Sequence, residues 1–222
     1  GDVVRTLPIL EAVKEKYPNS EITWITKKDA VGIFEGNPFV GKVLTIPVNE
    51  MEDFEILYNF DTENEATELA NKINAKEKFG FCSEGDFATP FNSGAEYYLN
   101  TIFDDELKKS NRKTYQEMMF DAAELEWKKQ KPKIFLSDKD KKYAEDFLRN
   151  NKLERKKILG IHIGAGSRWL SKVWHEKNLK EFIEKAKKQG FEILLFGGPN
   201  EKEKHEKIIQ ELNEKGIKVF QN

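Results

Sequence analysis

An apolar run, a glycine-bearing loop, an amphipathic helix and a second apolar run follow one another over residues 157–196. "KILGIHI" (157–163) reads as a buried strand, and "GAGSRWLSKVW" (164–174) reads as a loop. Over 176–189, Leu179, Phe182, Ile183 and Ala186 share one helical face, and Gly190 closes the helix. "FEILLF" (191–196) is the next strand. Few folds are open to such a β-α-β succession. Parallel strands need a long crossover, and the crossover helix must cover a face of the sheet. The pattern continues: "GGPNEKE" turns into a helix with Ile208, Ile209 and Leu212 on its apolar face, and "IKVFQ" reads as a strand.

The first half shows the same alternation. A helix is expected over 6–17, strands at 21–26, 42–46, 54–60 and 76–81, a short helix at 29–36, and helices over 62–74 and 114–127. Residues 82–113, rich in Gly, Ser, Asn and aromatics, read as a loop with a helix around Ala95–Phe103. "KQKPKIFL" breaks the pattern. We place a domain boundary there, giving a first domain over 1–135 and a second over 136–222. The fold class expected is α/β, two Rossmann-like doubly wound domains. A first helix without a preceding strand, and a last strand without a following helix, lead us to expect an internal part of a longer protein, with both domains incomplete.

Composition narrows the function classes. Charged residues make up 34% of the chain, but the signs are mixed and the net charge is -2, so nucleic acid is not an expected partner. "KKQKPK" (128–133) and "ERKK" (154–157) read as solvated surface, with a patch toward an anionic membrane as the lesser alternative. One cysteine, Cys82, excludes an internal disulfide and a multi-cysteine metal site. No apolar run approaches the roughly 18 residues that span a bilayer.

Three stretches can carry chemistry. In the first, Gly164 and Gly166 let backbone amides approach an anion, Ser167 and Ser171 add hydroxyls, and Lys172 adds a mobile charge. An ordinary βα loop explains that spacing equally well. Neither the P-loop nor the dinucleotide spacing is present. In the second, "FGGPNE" (196–201), the loop should lie beside the first, because ligands of open α/β sheets bind at the carboxyl ends of strands. Glu201 can accept hydrogen bonds from a ribose there; the alternative is Asn200 as N-cap with Glu201 and Glu203 complementing the helix dipole. In the third, "GDVVRTLP" (1–8), Asp2 sits in a loop before a helix and is either a helix cap or a general base. "DKD" (138–140) imitates a metal motif, but Ser137 with Asp140 reads better as a capping box. His162 and His205 read as structural, His205 partly buried, and His175 as exposed. Three scattered histidines make no metal site.

Taken in order, "GDVVRTLPILEAVKEKYPNSEITWIT", "EGNPFVGKVLTI", "GIHIGAGSRWLSKVWHEKNLKEFI" and "LLFGGPNEKE" resemble glycosyltransferase family 9, the ADP-heptose:lipopolysaccharide heptosyltransferases. The resemblance is weakest over 82–135. It implies a two-domain GT-B architecture and an inverting transfer from a nucleotide sugar in the cleft between domains. It implies Asp2 as catalytic base, with Arg5 and Thr6 on the acceptor side. It also implies Gly164, Ala165, Gly166, Ser167 and Lys172 at the donor phosphates, and Glu201 near the donor ribose. No cofactor or metal is expected, only a nucleotide-sugar donor, ADP-heptose, and a lipid-linked or oligosaccharide acceptor. A monomer in the cytoplasm, in peripheral contact with the inner membrane at most, follows. Arg5 stands where some members have His, and the family's first strand and its segment beyond Asn222 are absent. Two other classes stay open: a two-domain α/β binding protein without chemistry, and a Rossmann-type oxidoreductase, against which the lack of G-x-G-x-x-G counts.

Overall fold

The second unit of the chain, Asp138–Asn222, is built on three parallel strands in the order β6 (Lys157–His162), β7 (Phe191–Phe196), β8 (Phe220–Gln221). The computed structural model describes residues 1–48, 51–164, 171–198 and 201–221. Strand β7 is central and alternates strictly. Ile193 and Leu195 enter a cluster with Leu179 and Ile183 of α8 (Glu176–Lys188) and Ile208 and Leu212 of α9 (Lys202–Glu214). Leu194 faces the other way, onto Leu153, Phe220 and Phe147 of α7 (Asp138–Asn150). Helices thus cover both faces, the doubly wound arrangement. Each fully buried Leu or Ile stabilises it by about 1.5–3 kcal/mol.

Two readings of this half need correction. Phe182, expected in the core of α8, is 38% exposed and packs on Trp174 with ring centroids 5.1 Å apart. The buried stripe is Leu179, Ile183 and Ala186, spaced by four and three, and position 182 falls at its margin. Strand β6, expected as buried, is at the edge of the described sheet, and its residues are exposed or half-buried.

The first unit, Gly1–Ser137, carries β1 (Thr23–Thr26) parallel to β2 (Lys42–Thr45), and β3 (Phe54–Asn59) parallel to β4 (Ala75–Glu84). Helices α2 (Pro8–Lys16), α3 (Asn64–Lys72), α4 (Ser93–Phe103), α5 (Asp105–Ser110) and α6 (Tyr115–Ala122) pack around them. The core joins Ile9 and Val13 of α2, Phe81 of β4, Leu99 of α4 and Met119 and Phe120 of α6. Between 82 and 90, where a loop was expected, β4 continues and folds back antiparallel as β5 (Phe87–Pro90). Gly85 turns the hairpin at φ +60°, and Cys82 pairs with Thr89 across it. The polar composition hid the hairpin because one of its faces is solvated. After α6 the chain passes α2, where Lys128 pairs with Glu15 (2.9 Å) and Lys133 with Glu11 (2.8 Å). These two lysines of "KKQKPK" are held by carboxylates of the same unit.

Candidate active site

In the second unit, β6 and β7 run parallel with His162 opposite Phe196, so the loops after them leave the sheet side by side. Glu201 joins them. Its Oε2 accepts the Gly198 N–H at 2.8 Å, and its carboxylate lies against Gly164, where a Cβ would come within 2.3 Å of Oε1. Glu201 stands at the N-cap position of α9, yet its side chain makes no capping bond to that helix. Its Oε1 is left as an acceptor facing the first loop. Asn200, the expected cap, lies outside the described residues. So do Ala165, Gly166 and Ser167. Ser171 and Lys172 are exposed ahead of α8, whose N-cap is His175, accepting from Lys177 N–H at 3.3 Å.

Two histidines frame this loop pair more closely than sequence suggests. His162 is exposed and its Nδ1 contacts the backbone of Gly164, 3.0 Å from the carbonyl oxygen and 3.3 Å from the nitrogen. His205, one helical turn after Glu201, is only 1% exposed and fills the space beside Gly197, where a Cβ would meet its Cε1 at 2.7 Å. Its Nε2 is buried without a partner. Burial pushes the imidazole below the ordinary 6.5, and His162 and Lys204 add to the shift. The Phe196 carbonyl and the Glu201 charge oppose it. The folded state therefore favours the neutral ring. This contribution is fully present above about pH 6.5 and is lost as pH falls toward the lower folded value, because the unfolded chain takes up the proton first. Denaturation midpoints are expected to fall between pH 7.5 and 5.5, with a shallower fall for His205→Gln. An unchanged slope in that variant would remove His205 as the source.

In the first unit, helix α1 (Asp2–Thr6) begins at Asp2 itself, so Asp2 lies in a first helical turn and not in the loop expected before residue 6. An acid there complements the helix dipole, and Pro8, lacking an N–H, separates α1 from α2. The Asp2 side chain is 84% exposed, and its Oδ1 is 2.7 Å from Arg5 Nη2. Arg5 stacks its guanidinium over Tyr115, 3.5 Å from Cζ to the ring centroid. Thr6 is buried, and its hydroxyl donates to the Asp2 carbonyl at 2.9 Å and lies 3.3 Å from the Tyr115 hydroxyl. That places Thr6 behind Asp2 as support. Tyr115 was not singled out in the sequence, where it reads only as part of a helix.

Among the described residues, no group of three or more His, Cys, Asp or Glu can hold a metal ion, and no helix is long and apolar enough to cross a membrane.

Two α/β units, each with parallel strands covered by helices, define a protein of the GT-B fold. A glycosyltransferase family 9 structure from Veillonella parvula superposes with a TM-score of 0.76 at 17% identity, covering 99% of this chain and 65% of that one. The E. coli ADP-heptose lps heptosyltransferase II superposes with a TM-score of 0.64 at 16% identity, covering 100% and 69%. Residues 52–220 match the family model "Glycosyltransferase family 9 (heptosyltransferase)", and the chain belongs to that family. The matched span takes in Gly164, Lys172 and Glu201 and begins after Asp2, Arg5 and Thr6. Over 220 residues the chain is 24% identical to the lipopolysaccharide core heptosyltransferase OpsX of Haemophilus influenzae, covering 91% of this chain and 58% of that protein.

Proposed function

We propose that this protein is an inverting glycosyltransferase that moves heptose from ADP-heptose to an acceptor in the lipopolysaccharide core. The observation that carries the reading is Glu201. Its carboxylate bridges the two loops at the carboxyl ends of β6 and β7, inside the span matched by the family. With Oε2 held by Gly198, Oε1 accepts a hydrogen bond from a ribose hydroxyl of the donor. Lys172 and the amides from Gly164 to Ser167 contact the diphosphate. Asp2 takes the proton from the acceptor hydroxyl. The acceptor oxygen bonds to the anomeric carbon from the face opposite the nucleotide, the bond from that carbon to the phosphate oxygen breaks, and ADP leaves with the electron pair. Lys172 and the loop amides stabilise the growing negative charge electrostatically. The scheme calls for no cofactor and no metal. A monomer working in the cytoplasm, at the inner face of the inner membrane, suits a soluble donor and a lipid-linked acceptor.

Calorimetry of the full chain against ADP, UDP and GDP tests the donor. ADP is expected to bind more tightly than the other two, and binding of none would sink the transferase reading. Inversion is checked by the anomeric configuration of the product. The Glu201 bridge has its own test in Gly164→Ala. The three atoms nearest the added Cβ all belong to the flexible side chain of Glu201, so stability should change by less than about 1 kcal/mol. ADP binding should weaken roughly tenfold, the value of one hydrogen bond to a charged group. Undiminished ADP affinity would separate Glu201 from the donor.

A further inference from the structure

Helix α1 carries Asp2 and Arg5 but has only five residues, too few to hold its own shape. Its support comes from α6, far along the chain: Thr6 and Tyr115 are 109 residues apart in sequence. Helix α6 starts with a complete capping box. Thr114 Oγ1 accepts the Glu117 N–H at 3.2 Å, and Glu117 Oε2 accepts the Thr114 N–H at 2.6 Å. That box fixes Tyr115 in the first helical position. The Tyr115 ring lies under the Arg5 guanidinium, and its hydroxyl meets Thr6. Behind it stands Tyr98, edge-on at 5.8 Å, and behind Tyr98 the fully buried Phe81 at 5.4 Å. A continuous ladder therefore runs from the core of the unit through Phe81, Tyr98, Tyr115 and Arg5 to Asp2. Arg5 Nε is buried without a hydrogen-bond partner, so apart from its pair with Asp2 the stack on Tyr115 is what orients the guanidinium. Burial pushes the Tyr115 phenol up, so it stays neutral and donates no charge of its own to the site.

We propose that Tyr115 is a positioning residue for the base. It holds Arg5 flat, Arg5 holds Oδ1 of Asp2, and Oδ2 is left to accept the acceptor's proton. The proposal rests on the reading of Asp2 as base, so Asp2→Asn is measured alongside. The test is steady-state transfer by the full chain with both substrates varied. Tyr115→Leu removes the stack and is expected to lower kcat roughly 10- to 100-fold, as a misplaced catalytic group does, with the donor KM within about twofold. Tyr115→Phe keeps the ring and should restore most of the loss. Adding Arg5→Gln to Tyr115→Leu should cost nothing further, since both act through one carboxylate. Wild-type kcat in Tyr115→Leu, or full additivity with Arg5→Gln, overturns the proposal. Should Tyr115→Leu fail to fold, Arg5→Gln alone replaces it, and a normal kcat there has the same force. If Asp2→Asn keeps its turnover, the base reading falls and this proposal with it. If Asp2→Asn loses turnover while Tyr115→Leu does not, only the positioning role is lost.

Discussion

Asp2→Asn is expected to lower kcat by about 10²–10⁴-fold, the usual worth of general-base assistance, or roughly 3–5 kcal/mol of barrier. The substitution suits the question. Asn has nearly the same shape, and its Oδ1 can still accept from Arg5 Nη2, now 2.7 Å from the Asp2 carboxylate. What Asn lacks is the basic oxygen. The side chain of Asp2 is largely in water and pairs with Arg5, so neither folding nor the Tyr115 stack depends on its charge. The groups assigned to the donor belong to the other unit of the chain, and ADP affinity should stay at the wild-type value. A loss confined to kcat therefore identifies the base. Turnover near wild type would return Asp2 to the role of a helix-terminal acid.

The largest expected effect on stability is at Gly80. This residue sits in β4 opposite Asn59 of β3, with φ +90°. A Cβ there would lie 1.9 Å from the Asn59 carbonyl oxygen and 2.9 Å from its carbon, and both are backbone atoms that no rotamer change can move aside. The same glycine donates its N–H to Asn92 Oδ1 at 2.9 Å and accepts from Phe91 N–H at 2.8 Å, so it also joins the strand to the entry of α4. Gly80→Ala combines backbone strain with overpacking and should cost roughly 3–5 kcal/mol, a large part of a typical 5–15 kcal/mol total. Thermal melting of the variant should fall by about 10 °C. Gly85→Ala is the control. It shares a positive φ, +60°, but has nothing within 4 Å of the added Cβ. It should cost only about 1 kcal/mol. Equal losses in the two variants would show that φ alone, and not the clash with Asn59, is responsible.

Much of the α/β frame follows from local sequence. The spacing of Leu179, Ile183 and Ala186 makes α8 amphipathic, and Gly190, at φ +84°, ends it. The consecutive apolar residues Ile193, Leu194 and Leu195 of β7 mark a central strand, because both of its faces must be covered. Such features need only neighbours along the chain, and a helical or strand period reports them directly. The two glycine-bearing loops were also legible, since strand order places them at one end of the sheet.

The rest was settled only by contacts between distant residues. Nothing near Glu201 in sequence says that its carboxylate turns away from its own helix to Gly198 and Gly164. Nothing near Arg5 points to Tyr115, and a Thr-x-x-Glu box at 114–117 announces a helix start without saying what the next ring will hold. The hairpin of β4 and β5, the exposure of Phe182 and the full burial of His205 are of the same kind. By itself the sequence determined periodicity, caps and loop order, which arise from hydrogen bonds and side chains within a few residues. The tertiary structure alone decided which side chains meet, because a meeting across the fold depends on where every intervening element packs.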